Sequence, residues 1–189
     1  QPIPGEPFYT GPLVKVYLER VERNERGTQI AISRTHPQMI AKLLEMEVPE
    51  IAEGTVVIKD ISREGGVRTK VSVMSLEENV DPVGSCVGQK GVRIQAVTDE
   101  LSGERIDIVQ FDEDPIRYLM NALAPAKIVS IELLPEKNLA KVYVIEEQRS
   151  LAIGKNGQNV RLASKLATWE IDILDFVLHD EPAPQAPAP

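Results

Sequence analysis

The hydrophobic positions of this chain follow one pattern of spacings that occurs twice. Each occurrence has an apolar run at helical spacing, two strand-like runs, two helical runs separated by a glycine loop, and a closing strand. In the first occurrence, Thr35 and Gln38 have the spacing of a capping box. The pattern predicts an α-β-β-α-α-β module of the α+β class for residues 37–111. Its predicted elements are a helix at 37–48, strands at 55–61 and 67–74, and a closing strand at 106–111.

The second occurrence predicts the same module for residues 112–178. Asp114 has the position of a helix cap before Pro115, and Pro125 ends that helix. Both closing strands contain the sequence Ile-Asp-Ile, which indicates a true internal repeat. The other predicted elements are strands at 127–134 and 140–145, helices at 148–153 and 158–167, and a closing strand at 171–176.

Two segments flank the repeat. Residues 1–36 contain strand candidates at 13–21 and 28–33, with a hairpin turn at 24–27. Two strands cannot bury a core by themselves, so we expect this segment to pack on the next domain or to be the end of a truncated one. Residues 179–189 are rich in Pro and Ala and predict an extended, disordered tail.

The composition favours a cytoplasmic protein. The 189 residues contain neither an apolar stretch of about 18 residues nor a charged-then-apolar leader. Because the chain begins at Gln1 rather than at Met, we expect it to be a fragment of a longer protein. Cys86 is the only cysteine, which excludes an internal disulfide and fits a reducing compartment. Its place in a predicted helix favours a small apolar role over that of a reactive thiol.

The charge balance argues against a general polyanion binder but leaves two exceptions. The formal net charge is −8 and the pI is near 4.9, whereas general nucleic-acid binders are normally basic. Yet no acidic residue lies between Asp81 and Asp99 or between Glu147 and Glu170. Both stretches contain Lys, Arg and a Gly-X-X-Gly sequence. Local positive charge on an acidic chain suits a short, salt-sensitive phosphate contact.

The two Gly-X-X-Gly loops, Gly88–Gly91 and Gly154–Gly157, are the candidate binding site. Chance alone gives about 0.7 such matches, and glycines that merely end helices are the simple alternative. Their equivalent places in two modules favour a site. Glycine allows a positive φ and a close approach of backbone to phosphate, and the next helix directs free N–H groups toward an anion. Walker-type and dinucleotide-type phosphate motifs are absent from the sequence.

The helix–loop–helix unit with its flanking strands resembles the KH domain in its type II (prokaryotic) arrangement. Two tandem copies, with the phrases 33–37, 81–88 and 151–163, closely resemble the NusA family of bacterial transcription factors over roughly residues 10–178. In that family an S1 domain, which is an oligonucleotide-binding (OB) barrel, precedes the KH domains. The resemblance therefore implies that residues 1–36 are the last strands of a truncated S1 barrel.

The resemblance also implies the ligand and the partners. KH domains hold about four nucleotides of single-stranded nucleic acid, and their Gly-X-X-Gly loop clamps the backbone. The implied role is the RNA-binding part of a transcription elongation factor that modulates pausing, termination and antitermination. The implied partners are nascent RNA, RNA polymerase through the missing amino-terminal part, and other antitermination factors. The candidate RNA-binding residues are Gly88, Gln89, Lys90, Gly91, Arg93, Ile94, Gly154, Lys155, Asn156, Gly157, Gln158, Asn159 and Arg161.

Several of these assignments have simpler alternatives. Arg93 and Arg161 could lie on solvated helix faces, and Asn156, Gln158 and Asn159 could serve as helix caps. No aromatic residue lies beside either loop, so base stacking is not expected. Bases would instead enter an apolar groove, although each groove candidate could equally be core. These candidates are Val87, Ile94, Ile106, Ile108, Ile153, Val160, Ile171 and Ile173.

The residues do not indicate an enzyme, a cofactor or a metal site. Two His and one Cys make no ligand cluster, and no acidic pair is distinguished by its spacing. Two other functions stay open. One is a KH-fold module that binds a protein partner, which the acidic surface favours, and the other is a ribosome-associated RNA-binding protein.

Overall fold

The fold is a β-hairpin followed by two α-β-β-α-α-β modules. The computed structural model describes residues 1–6, 11, 13–25 and 27–177; the predicted tail at 179–189 lies outside the described residues. The hairpin has strands β1 (Tyr17–Asn24) and β2 (Gly27–Ser33). The first module has α1 (Pro37–Glu47), α2 (Pro49–Ala52), β3 (Val56–Glu64), β4 (Arg68–Ser75), α3 (Pro82–Val87), α4 (Val92–Glu100) and β5 (Arg105–Gln110). The second module has α5 (Pro115–Ala122), β6 (Ser130–Leu134), β7 (Leu139–Val144), α6 (Glu146–Ile153), α7 (Gln158–Ala167) and β8 (Glu170–Asp175).

Each module has one three-stranded sheet with the same topology. In the first sheet the order is β3-β4-β5, and the central strand is antiparallel to β3 and parallel to β5. The second sheet repeats this as β6-β7-β8. The parallel pair requires a crossover, which the two helices and their glycine loop supply. The predicted α+β element order is therefore confirmed, and the first module adds only the short α2.

The first helix of each module begins where proline and a capping side chain coincide. Asp114 accepts a hydrogen bond from Ile116 N at 3.0 Å, with Pro115 at the first helical position, as predicted. The predicted capping box of Thr35 and Gln38 is wrong, because the capping residue of α1 is His36, whose Nδ1 accepts from Gln38 N at 3.1 Å. The following Pro37 restricts His36 to extended backbone, so the helix cannot begin earlier.

The first strand of the hairpin is displaced from its predicted position. It covers Tyr17–Asn24 rather than 13–21, because its antiparallel register with β2 begins at the pair Asn24 and Gly27. Because the turn is tight, the two strands stay paired up to the turn itself. The residue pattern of one strand alone does not show how far this pairing extends. Arg26, inside the predicted turn, lies outside the described residues.

The hairpin segment is fastened to the first module by a buried arginine. Arg34 is 3% exposed and donates from Nε and Nη2 to the carboxylate of Glu6, at 2.8 and 2.6 Å. Its Nη2 also donates to the carbonyl of Glu100 at the end of α4, at 2.8 Å. This fork holds Glu6 ionised and lowers the pKa of its carboxyl group. The expectation that this segment packs on the next domain is met, and its descent from an S1 barrel stays a prediction.

The two modules have separate cores that meet at β5. The first core contains Ile40, Leu44, Val71, Val73 and Leu101, between the sheet and its own helices. The second core includes Leu119, Leu123 and Leu166, and it extends to Val109 and Phe111 of the first module. Because strand residues alternate in direction, one face of the first sheet covers its own core and the opposite face packs on the second module. The second module therefore lies against the back of the first sheet.

Candidate nucleic-acid interface

The two glycine loops have the same backbone conformation. Gly88 and Gly154 have φ/ψ of 75°/170° and 77°/169°, a region that is essentially restricted to glycine. Lys90 and Asn156, the third loop residues, are left-handed at 55°/24° and 54°/26°. The final glycines are also left-handed, with φ of 77° and 71°. Agreement within a few degrees across an internal repeat indicates one loop design used twice.

The first glycine of each loop is required by space as well as by φ. A Cβ on Gly154 would lie 2.8 Å from the backbone nitrogen of Asn159, and one on Gly88 would lie 2.7 Å from Cγ of Arg93. The second glycines are different, since a Cβ on Gly91 would meet nothing within 4 Å. The first glycines also cap the preceding helices through their N–H groups. The same glycine thus ends the preceding helix and allows the close packing of the loop backbone against Asn159 or Arg93.

The helix that follows each loop starts without a side-chain cap. Gly91 and Gly157 occupy the capping positions of α4 and α7, and neither can offer a side-chain oxygen to the first N–H groups. The first of those N–H groups is used within the loop, since Val92 donates to the carbonyl of Gln89 and Gln158 donates to that of Lys155. The positive end of the helix dipole remains available to an anion. The residues between the glycines are exposed and add positive charge through Lys90 and Lys155. Each loop therefore combines the positive end of a helix dipole with one flexible cation.

The two arginines predicted to bind RNA each have a protein partner. Arg93 donates from Nη1 to the carbonyl of Ser85 at 2.7 Å and to Glu50 at 2.9 Å. Arg161 donates from Nε to Glu64 of the first module at 2.6 Å. The guanidinium of Arg161 lowers the pKa of the Glu64 carboxyl group. The stretches without acidic residues along the sequence are therefore approached by carboxylates from other elements.

Arg161 also braces the second loop directly. Its Nη1 donates to the carbonyl of Asn156 at 3.2 Å, inside the loop. The loop of the second module is thus tied, through one side chain, to β3 of the first module. Arg93 has the matching role within its own module, since Ser85 lies on α3, just before the first loop. In this structure both arginines position loops, and each retains partial exposure toward solvent.

The predicted RNA contact of Asn159 is not supported by its position. Its side chain is buried at 1% exposure and donates from Nδ2 to the carbonyls of Leu123 and Ala152, at 3.0 and 3.1 Å. These bonds join the end of α5 to the end of α6. Its Oδ1 has no hydrogen-bond partner among the described residues. The preceding Gln158 is half-buried and remains at the loop surface.

The apolar groove candidates are mostly half-buried. In the first module Ile94, Ile106 and Ile108 pack against the core while keeping part of their surface exposed. In the second module Ile173 is buried and belongs to the core, which was the alternative to a place in the groove. Val87, Ile153, Val160 and Ile171 are also half-buried. The half-buried set can line a shallow groove and support the core at once.

Each loop also borders a surface cavity on the side of its first glycine. The cavity beside the first loop, of about 500 Å³, is lined by residues of α2, α3 and α4, including Glu50 and Gln89. The cavity beside the second loop, of about 360 Å³, is lined by Gly154 and Lys155 and by Arg68 and Arg105 of the first module. Sequence patterning missed these two arginines, because only the folded arrangement brings them to the second loop.

The part of the chain that the structure describes shows neither a reactive thiol nor a metal site. Burial raises the pKa of the Cys86 thiol to about 12, so this group is an inert apolar residue, as predicted. Within residues 1–177, where described, no group of three His, Cys, Asp or Glu could hold a metal ion. Among the same residues, no helix has the length and apolarity needed to cross a membrane.

Comparison with known proteins agrees with this geometry. The profile of the NusA-like first KH domain matches residues 34–111, and that of the NusA-like second KH domain matches residues 115–177. The crystal structure of APE1850 superposes with a TM-score of 0.54 at 24% identity, covering 74% of this chain and 97% of that one. At that identity the likeness shows the fold alone.

Relatives with much higher identity carry one name. The transcription termination/antitermination protein NusA of Halalkalibacterium halodurans is 50% identical over 171 residues, which cover 90% of this chain and 45% of the relative. The NusA of Thermus thermophilus is 49% identical over 178 residues, which cover 94% of this chain and 46% of the relative. The chain spans about half the length of the curated relatives it matches. Since the two domain profiles together span both modules, the chain belongs to the NusA family and contains its two tandem KH domains.

Proposed function

We propose that the two modules bind single-stranded RNA, with each Gly-X-X-Gly loop clamping the backbone. The observation that carries this proposal is the repeated loop, which has the same glycine-dependent conformation and an uncapped helix start in both modules. Close backbone approach, the positive end of a helix dipole and an exposed lysine all favour the binding of a phosphate chain. The candidate contacts are Gly88, Gln89, Lys90, Gly91 and Ile94 in the first module, and Gly154, Lys155, Asn156, Gly157 and Gln158 in the second.

The wider role is proposed for the whole protein. The relatives are named for transcription termination and antitermination, and each is about twice as long as this chain. We propose that this chain supplies the contact with nascent RNA in the cytoplasm during pausing, termination and antitermination. We propose RNA polymerase and other antitermination factors as its protein partners.

The test is a double substitution in each loop, with a matched control. Gln89 and Lys90, and Lys155 and Asn156, are replaced by Asp pairs, and the affinity for a fluorescent single-stranded RNA is measured by anisotropy. Asp tolerates the left-handed conformation of the third loop position, so the fold should persist. Repulsion between carboxylates and phosphates should abolish binding.

The control uses the same dipeptide elsewhere in the second module. Lys137 and Asn138 are exposed, and Asn138 is left-handed with φ of 50°. This turn contacts Thr168 at the far end of α7 from the loop, through a hydrogen bond of 3.0 Å from Asn138 to the carbonyl of Thr168. Replacing the pair by Asp should leave RNA affinity within about twofold. Equal losses in the control and loop variants would show a general charge effect and would refute the clamp.

Salt dependence gives an independent check. Each phosphate contact contributes a slope of about −0.7 in a plot of log affinity against log salt for single strands. Two clamped loops should therefore produce a steep decline despite the net charge of −8. A flat titration would exclude phosphate contact as the basis of binding.

A further inference from the structure

The cavity beside the second loop is a groove between the two modules. Gly154, Lys155 and Gln158 form one wall, and Val67, Arg68 and Arg105 of the first module face them, with a volume of about 360 Å³. We call this the junction groove. Arg105 begins β5 and immediately precedes Ile106, one of the half-buried groove candidates of the first module. The junction groove thus lies between the binding surface of the first module and the loop of the second.

One carboxylate at this groove serves three cations. Asp107 is 2.6 Å from Nη2 of Arg68, 3.4 Å from Nζ of Lys70 and 3.3 Å from Nε of Arg105. The parallel register explains the cluster, because it pairs Arg68 with Arg105 and Lys70 with Asp107 across the two strands. All four side chains therefore lie on the back face of the first sheet. After Asp107 is counted, the cluster has two positive charges in excess.

Neighbouring groups do not remove that excess. Glu64, which is paired with Arg68 in the strand register, is held by Arg161 at 2.6 Å. Lys155 adds a further exposed cation from the opposite wall. Burial, followed by repulsion from Arg68 and Arg105, lowers the pKa of Lys70 to about 8 against the attraction of Asp107. The cluster is therefore a place where an added anion would be stabilised.

The cluster is also rigid at its base and open at its rim. The side chain of Lys70 is 0% exposed and donates to the carbonyl of Ala124 at 3.2 Å, and that of Arg68 is 11% exposed. The side chain of Arg105 is 64% exposed, and within the described part of the chain its guanidinium donates only to Asp107, at 3.3 Å. Fixed charges behind an exposed guanidinium favour a tetrahedral oxyanion such as a phosphate.

We propose that the junction groove binds one phosphodiester of an RNA strand that passes from the first loop to the second. Arg105 and Lys155 contact the phosphate, while Arg68 and Lys70 supply charge from behind them. This inference rests on the proposed RNA-binding function. It adds a third phosphate contact that only an RNA long enough to engage both modules can make.

The test compares two RNA lengths and two arginines. One RNA has about five nucleotides, enough for one loop, and the other about ten, enough for both. Arg105→Gln is compared with Arg20→Gln, because Arg20 is also on a strand, is 66% exposed and pairs with a carboxylate two residues on, Glu22. Arg105→Gln should lower the ratio of long-RNA to short-RNA affinity by roughly threefold to tenfold and reduce the salt slope for the long RNA by about 0.7. Arg20→Gln should change neither quantity.

A neutral linkage in the RNA identifies the phosphate itself. Methylphosphonate is placed at each central linkage of the long RNA in turn, and affinities are measured for the unmodified protein and for Arg105→Gln. At one linkage, methylphosphonate should lower the RNA affinity of the unmodified protein by the same factor as the substitution does. At that linkage it should leave the RNA affinity of Arg105→Gln almost unchanged. The proposal is overturned if, at every linkage, the affinity losses from methylphosphonate and from Arg105→Gln simply add. It is also overturned if Arg105→Gln leaves the ratio of long-RNA to short-RNA affinity unchanged, or if Arg20→Gln changes that ratio equally.

Two further outcomes separate the remaining explanations. Inorganic phosphate is titrated at constant ionic strength while the amide NMR signals of Arg105 and Lys155 are followed. Saturable shifts without any loss of long-RNA affinity in Arg105→Gln would indicate a site for free phosphate and would refute the RNA path. If the unmodified protein bound neither RNA, the proposed function itself would fail, a result distinct from binding both RNAs with an unaltered ratio.

Discussion

The two glycines of a loop should differ sharply in their tolerance of a side chain. We expect Gly154→Ala to destabilise the second module far more than Gly157→Ala does. Both residues have positive φ, but Gly154 has a ψ of 169°, outside the left-handed helical region that other residues can adopt. The new Cβ of Gly154→Ala would also lie 2.8 Å from the backbone nitrogen of Asn159.

The expected loss of stability in each variant follows from the backbone conformation and from the steric overlap of the new Cβ. Alanine in the left-handed region costs about 1–2 kcal/mol, which is the whole expected effect of Gly157→Ala, since its nearest contact is Arg161 Nη1 at 3.8 Å. At Gly154 the conformational cost is roughly 1–3 kcal/mol. The overlap adds to it, because Asn159 is held in place by buried hydrogen bonds and cannot withdraw. We therefore expect a total of at least about 3 kcal/mol for Gly154→Ala.

Urea denaturation followed by tryptophan fluorescence measures the difference. Trp169 is the only tryptophan of the chain and lies between α7 and β8, so it reports on the second module. Gly157→Asn serves as a control, because Asn accepts left-handed backbone and Asn156 already adopts it. It should cost less than Gly157→Ala. The reasoning is refuted if Gly157→Ala proves as damaging as Gly154→Ala.

Three other predictions concern charged groups. The stability of the unmodified protein should rise by up to ~3 kcal/mol between about pH 8 and pH 10.5, because there the unfolded chain binds the Lys70 proton and the folded chain does not. Lys70→Met should abolish this rise. Urea titrations that gave parallel pH profiles for both proteins would contradict the prediction. Glu104→Ala should destabilise the first module by about 3–5 kcal/mol, because Arg63 then stays buried without its partner at 2.7 Å; a loss below about 1 kcal/mol in thermal unfolding contradicts this. Arg161→Gln should speed amide hydrogen exchange in the loop 154–157 by removing the bond to Asn156 and the tie to Glu64; unchanged exchange would mean that the loop is rigid without it.

Local patterns were sufficient for the order of elements. The helix predicted at 158–167 is observed at Gln158–Ala167, because its apolar positions, its glycine start and its end before a strand are all encoded within the segment. The connection between the strands predicted at 127–134 and 140–145 was likewise local, since Asn138 favours the left-handed backbone found there. Where an element depends only on its own residues, sequence periodicity was adequate.

Contacts between distant segments could not be predicted. Asn159 follows a loop and resembles a binding or capping residue, yet it is buried because its amide links α5 with α6. The partners of Arg93 and Arg161 come from α2 and β3, which are 43 and 97 residues away in the chain. The cluster around Asp107 depends on strand register, which no run of residues discloses. Charge along the sequence therefore identified the lysines of the two loops but not the carboxylates that other elements bring close to them.

The position of the second loop depends on the first module in a way that the first loop does not share. Arg93 holds the first loop to elements of its own module, whereas Arg161 connects the second loop to Glu64. The second core is also completed by Val109 and Phe111 of the first module. Separating the modules would thus remove both a brace of the loop and part of the core beneath it. The two loops are therefore held at a fixed separation by the interface itself. Under the proposed function, an RNA strand bound at one loop would meet the other at high effective concentration.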